Sequence, residues 1–185
     1  MFDKFFILLF IFLNLALNLH ADERQLIANR LIAINNITFD FEQMTNDKKE
    51  IGTCILSFDN KLSCDYEDSV QKRILINDKT LVIQQKRYNK NYFYPVSNSV
   101  FSKIFDKNNL IEIIKNSDYQ INKKIELTYV SNDKEKIVIF FEKNSYNLLG
   151  WKLVDKLQNI IYFSIKIKHV NSKINPKIFI IPSIN

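Results

Sequence analysis

The chain changes its hydrophobic period several times, and each change marks an element. After Asp22, a candidate N-cap, Leu26, Ile27, Ala28, Leu31, Ile32 and Ile34 recur at helical spacing and predict an amphipathic helix of about three turns. From Ile37 the period drops to two. In "ITFDFEQ" Ile37, Phe39 and Phe41 alternate with Thr38, Asp40 and Glu42, as in a strand with one wet face. Residues 52–58 and 62–66 repeat the alternation around Phe58-Asp59-Asn60 and predict a hairpin, with Cys54, Leu56 and Phe58 on one face with Leu62, Cys64 and Tyr66. "RILINDKTLVIQQ" predicts two more strands about Asn77-Asp78-Lys79, and "YNKNYFYP" a further one stopped by Pro95.

A second helical region follows. Val100, Phe101, Ile104 and Phe105 make one apolar patch, capped by Ser97 or Asn98; Leu110, Ile111, Ile113 and Ile114 make another. After Asp118 alternation returns in "YQI", "KIELTYV", "KIVIFFEK", "LLGWKLVD", "IIYFSIKIK" and finally "KIFIIP". Short strands joined by tight turns imply an antiparallel meander in one domain. The fold class expected is therefore α+β.

The first residues stand apart. Residues 5–19 form an apolar run of 15 broken only by Asn14 and Asn18, shorter than the roughly 20 residues of a membrane span. Lys4 precedes the run, and Leu19-His20-Ala21 ends it before Asp22-Glu23, the pattern of a cleavable signal peptide over 1–21. An uncleaved anchor is the alternative reading. Removing 21 of the 185 residues would leave 164, enough for one domain with a real core, as residues 22–185. An exported chain meets an oxidising compartment, and this one has two cysteines. A three-residue loop at 58–60 sets Ser57 opposite Lys61 and Cys54 opposite Cys64, so a disulfide stapling the hairpin is expected. Two buried free thiols, or a zinc site short of further ligands, are the alternatives.

A net charge of +6 raises nucleic acid or an acidic membrane surface as partners. The lysines are scattered along the chain rather than clustered with arginines and aromatics, which argues against nucleic acid. Catalytic chemistry is sparse. His169 is the only histidine after residue 21, the two glycines, Gly52 and Gly150, build no phosphate loop, and no G-x-S-x-G occurs. Asp40/Glu42 and Asp65/Glu67 read as solvated strand faces. Neither an enzyme, a metal site nor a cofactor is expected. Hydrophobic residues make up 46% of the chain, with 15 Phe and 8 Tyr, and few helices are available to cover so many strands. The sheet therefore encloses either an apolar cavity or a dry, filled core.

The order of these segments resembles the family of LolA, the periplasmic outer-membrane lipoprotein carrier. An amphipathic helix leads into "ITFDFEQ", similar to the family's F-x-x-x-F-x-Q opening. "GTCILSFDNKLSCDYED" resembles its G-x-L-x-L-x-R-P-G-x-L-x-F-x-Y hairpin, with Gly52, Leu56, Leu62 and Tyr66 matching. "ILINDKTLVI" resembles its next hairpin, "YFYPVSNSVFSKIF" its tyrosine-proline stretch and lid helix, "IVIFFEKNSYNLLGWKLVD" its tryptophan-bearing strand pair, and "PKIFIIP" its F-x-x-P finish. No single motif is specific; the order and spacing over nearly the whole chain carry the likeness. Two departures matter. Phe58-Asp59 replaces the Arg-Pro whose arginine is associated in relatives with holding the lid shut, and the cysteines replace apolar positions.

The resemblance implies an incomplete antiparallel barrel with an N-terminal helix and mid-chain lid helices over a hydrophobic cavity. It implies a monomeric periplasmic carrier that binds lipoprotein acyl chains, receiving them from an inner-membrane ABC-type release complex and delivering them to an outer-membrane acceptor. The acyl-facing side chains it implies are Phe39, Phe41, Leu56, Phe58, Leu62, Tyr66, Ile76, Leu81, Ile83, Val100, Phe101, Ile104, Phe105, Trp151, Phe163 and Ile165. The rival expectations are an exported barrel-type binding or sensor domain without lipid transport and, behind it, an esterase built on His169.

Overall fold

A computed structural model describes residues 22–98, 104–130, 135–154 and 159–183. The proposed signal peptide lies outside them, as do Val100 and Phe101. The chain opens with helix α1 (Glu23–Ile32), capped by the Asp22 carboxylate, which accepts from the Arg24 backbone N–H at 3.0 Å. Ile27, Ala28 and Leu31 are its buried stripe, whereas Ile32, at its end, is exposed. Strands β1 (Asn36–Thr45), β2 (Lys48–Ser57), β3 (Lys61–Tyr66), β4 (Lys72–Asn77), β5 (Thr80–Gln85) and β6 (Lys90–Pro95) follow as a meander. A second meander comprises β7 (Asp118–Ile121), β8 (Ile125–Val130), β9 (Lys136–Phe141), β10 (Leu148–Val154) and β11 (Ile160–Val170). Between them lies helix α2 (Lys107–Asn116). Among the described residues no helix is long and apolar enough to cross a membrane.

The two meanders fuse where β11 returns to pair with β1, giving one antiparallel sheet of eleven strands in the order β6-β5-β4-β3-β2-β1-β11-β10-β9-β8-β7. β6 and β7 do not pair with each other, so the barrel is not closed. The strand alternation decides which face turns inward. Ile37, Phe39 and Phe41 of β1, Leu56 of β2 and Phe163 and Ile165 of β11 are buried, while their outward neighbours form polar pairs such as Asp40 with Lys168 at 2.7 Å and Asp65 with Arg73 at 2.6 Å. Helices α1 and α2 pack on each other, and α2 reaches β8. Its buried side chains are Leu110, Ile113 and Ile114.

Helix α2 takes its cap from Asp106, whose carboxylate accepts from the Asn109 N–H at 2.9 Å; Ser97 and Asn98, the caps expected for the preceding apolar patch, lie in a 3-10 turn (Val96–Asn98), and the start of that patch falls outside the described residues. Two details depart from the sequence expectation. The β4–β5 connection is tighter than expected, because Asn77 already pairs with Thr80 and Asp78 takes a left-handed backbone. Most of all, "KIFIIP" is not a strand. Pro176–Phe179 is a 3-10 turn touching β3 and β4, and the Asn77 side-chain amide donates to the Phe179 carbonyl at 3.1 Å. Ser63, Leu75 and Val82 belong to the outer face by strand alternation and are nonetheless buried, as is Phe179. The C-terminal segment thus straps the outside of the sheet. With Pro176 lacking an N–H and Pro182 following soon after, an apolar run that looks like a strand cannot keep up a ladder.

Candidate functional site

The hairpin that carries the cysteines forms in the expected register. Ser57 pairs with Lys61, Leu56 with Leu62 and Cys54 with Cys64, and the cysteines are joined with their Cα atoms 4.1 Å apart. Asn60 takes the left-handed conformation that a three-residue loop requires. Both sulfurs lie on the inward face, and the disulfide is part of the inner wall.

From that wall an aromatic row crosses the interior. The Tyr66 ring meets Phe41 edge to face at 4.8 Å, Phe41 stacks on Phe163 at 4.9 Å, and Phe163 stacks on Trp151 at 4.4 Å. Phe105, just before α2, then meets Trp151 edge to face at 5.9 Å. Five side chains from four strands and the lid segment therefore touch in sequence. Gly52 makes the row possible. It pairs with Phe41 across β1 and β2, and a Cβ there would stand 2.1 Å from the Asp65 carbonyl oxygen and 2.8 Å from the Phe41 ring. Gly150 serves the row in a similar way. Its φ of +140° sits at a register shift in β10 that no other residue would take readily, beside Trp151.

One end of the row is sealed by polar groups. The Tyr66 hydroxyl donates to the Gln43 side-chain oxygen at 3.0 Å, Lys72 stands 3.8 Å over the Tyr66 ring, and the same ammonium binds Glu50 at 2.6 Å. Burial, with the nearby Glu50 and Asp68 charges, holds the Tyr66 hydroxyl well above its ordinary pKa, so it stays a donor. Burial also works against the Glu50 carboxylate, but its bonds to Lys72 and Lys48 outweigh that and hold its pKa below the usual value. The other end opens. A cleft of about 700 Å³ is lined by Ile76, Pro95, Val96 and Phe105, with Asn60, Asp78, Lys79 and Asn109 among its polar rim.

Fourteen of the sixteen acyl-facing residues implied by the resemblance fall within the described residues, twelve of them in one buried apolar cluster and two packed against it. Phe39, Phe41, Leu56, Leu62, Tyr66, Ile76, Leu81, Ile104, Phe105, Trp151, Phe163 and Ile165 are buried in it; Phe58 and Ile83 pack against it half-buried. In this closed form most of the interior is filled by side chains meeting one another, and the open volume lies at the lid end, where Ile76 and Phe105 line it.

The closure itself is only half legible in the sequence. The Asp59 and Asp106 backbones form an isolated antiparallel bridge that joins the hairpin loop to the start of α2. Beside it, the Lys107 ammonium lies 5.5 Å over the Phe58 ring and donates to the Ile32 carbonyl at 3.3 Å. Phe58 draws notice in the sequence because it stands where the resembled family has an arginine. Lys107 carries no signal, because one lysine among many in a Lys-rich chain has no pattern.

No protein-family model matches the sequence, and no curated protein matches it. Solved structures do match in shape. An uncharacterized conserved protein from Thermus thermophilus aligns with a TM-score of 0.56 at 8% identity, over 87% of this chain and 95% of that one. The Mycobacterium tuberculosis lipoprotein LppX aligns at 0.50 and 7% identity, over 83% of this chain and 96% of its own. The Pseudomonas aeruginosa MucA/MucB complex aligns at 0.50 and 10% identity, over 87% of this chain and 62% of the matched one. A LolA superfamily protein from Nitrosomonas europaea aligns more loosely, with a TM-score of 0.42 at 10% identity, over 85% of this chain and 97% of that one. At such identities the likeness establishes the fold, an unclosed antiparallel barrel with covering helices.

Proposed function

We propose that this chain is a periplasmic, non-enzymatic carrier for the acyl chains of lipid-modified proteins. In this reading it collects cargo released by an inner-membrane ABC-type complex and hands it to an outer-membrane acceptor. The observation that supports it most is the position of Phe105. A side chain on the lid segment occupies the end of a buried aromatic row and borders the cleft, so withdrawing the lid would replace Phe105 by an apolar groove running inward from the mouth. The cleft volume falls in the range of small-molecule sites.

The energetics favour partial cover. Burying an acyl chain of sixteen carbons is worth roughly 12 kcal/mol at about 0.8 kcal/mol per CH₂. Three chains fully buried would exceed the roughly 20 kcal/mol ceiling of reversible association, so a carrier that releases its load has to leave part of it outside. Displacing Phe105 and Ile104 costs part of the gain and further limits the affinity.

The filled interior favours a second reading, an exported barrel-type binding or sensor domain that works through protein contacts. Lipid extraction and mass spectrometry of the protein purified from its own cells separates the two. Co-purifying di- or triacylated species in near-stoichiometric amount are expected of a carrier; protein free of acyl species from lipoprotein-replete cells would support the sensor reading instead.

A further inference from the structure

We propose that the β6 edge, residues 86–95, is a docking surface for an anionic lipid bilayer. The stretch "KRYNKNYFYP" holds three basic and four aromatic residues and no acidic one. It runs from the 3-10 turn (Lys86–Tyr88) into β6, which pairs with β5 on one side only and is an open edge of the sheet. Tyr88 is 55% exposed, Tyr94 47% and Tyr92 41%, the densest group of exposed aromatics along the described chain.

Register places the rings usefully. Tyr94 pairs with Leu81 and Tyr92 with Ile83, so both stand on the concave side and continue the apolar inner face beyond the last covered strand. Pro95 and Val96, next along the chain, line the cleft. The edge therefore forms a lip from outside to the cleft mouth. Tyrosine suits such a position, since its ring lies among acyl chains while its hydroxyl stays at headgroup level.

The charge fits the same partner. Arg87 and Lys90 are exposed, and among the described residues the Arg87 guanidinium donates to the Ser69 backbone carbonyl, at 3.2 Å, and meets no carboxylate. Lys86 is committed to Asp65 at 2.6 Å and Asp68 to the backbone N–H groups of Val70 and Lys72, which leaves Arg87 and Lys90 as the cations presented to a negative surface. Each basic group close to an anionic leaflet favours binding severalfold. Edge strands are commonly shielded by charge against pairing with other chains, and here the guarding charge is of one sign.

The test uses the full-length protein with an added reporter, Tyr94→Trp, read as the difference from the unsubstituted protein with its buried Trp151, and phosphatidylcholine vesicles containing brominated lipid, with and without phosphatidylglycerol. Quenching of the new tryptophan by phosphatidylglycerol vesicles is expected, little by phosphatidylcholine alone, and none of a Val130→Trp reporter at the opposite side of the sheet. Any contribution of the apolar run 5–19 is common to both reporters. Arg87→Gln with Lys90→Gln should lower the affinity for anionic vesicles by about tenfold or more, whereas Lys166→Gln with Lys173→Gln, an equal change of net charge elsewhere, should leave it within about twofold. An unquenched Tyr94→Trp, or equal losses in both charge pairs, overturns the proposal. So does concentration-dependent self-association abolished by Tyr92→Ser and Tyr94→Ser, which assigns the edge to a second copy, or retention by an acidic protein without vesicle binding. These outcomes leave the acyl-carrier reading untouched, because none of them measures cargo.

Discussion

Phe105 and Gly52 are the residues on which the interior turns. Replacing Phe105 by Ala removes the lid's contact with Trp151 and should destabilise the closed form by about 3 kcal/mol, the ordinary cost of emptying a buried Phe site. Chemical denaturation measures it, and the Trp151 emission of the folded variant should move to longer wavelength. Gly52→Ala brings a methyl against the Asp65 carbonyl and the Phe41 ring, so a loss of about 1–3 kcal/mol is expected, with weaker Phe41–Tyr66 contact. At the polar seal, Glu50 has a folded pKa below its ordinary value, so its contribution is present above that ordinary value and is lost as the pH falls through the lowered one. Acid denaturation should therefore become shallower in that window for Glu50→Gln. An unchanged acid limb would show that Lys72 and Lys48 do not hold this carboxylate in the folded state.

The elements most open to test are the stapled hairpin and its contact with the lid. Joining Cys54 to Cys64 closes a loop of sequence separation 10, for which chain entropy suggests about 3 kcal/mol. A Cys54→Ala/Cys64→Ala protein should lose stability of that order in denaturant and keep its fold. Phe58→Ala removes a half-buried ring that packs on the core and carries the Lys107 contact. Amide exchange in Lys107–Asn116 should speed up more than in Asn36–Thr45; equal protection factors before and after would show that Phe58 is no latch. The hairpin is fully legible because period-two alternation, a turn of known length and two cysteines converge on one register. The C-terminal strap is not. "KIFIIP" is a short apolar run such as a buried strand shows, and only tertiary competition for the outer face of β3 and β4, together with two prolines, turns it into a wrap.

Across the whole molecule, the alternation of short segments is enough to anticipate an antiparallel meander, whereas its incomplete closure is legible only through the family resemblance; the apolar inward set coincides with one cluster. Pattern cannot decide between cavity and core. Burial depends on how far the sheet curls and where one lid side chain lands, and neither leaves a mark at period two. The outcome combines both: a filled interior, and a cleft beside Phe105. The central claim is that an acyl chain can take the place of that ring.

Trp151 reports on this directly, being the only tryptophan, 2% exposed, and in contact with both Phe105 and Phe163. Titration of the purified protein with a palmitoylated lipopeptide, against the same peptide without its acyl chains, should produce a saturable change in Trp151 emission for the acylated peptide alone, together with faster amide exchange in α2. A tryptophan signal and lid protection that stay constant through saturating lipopeptide would contradict the account and leave a barrel whose greasy interior serves only to hold it together.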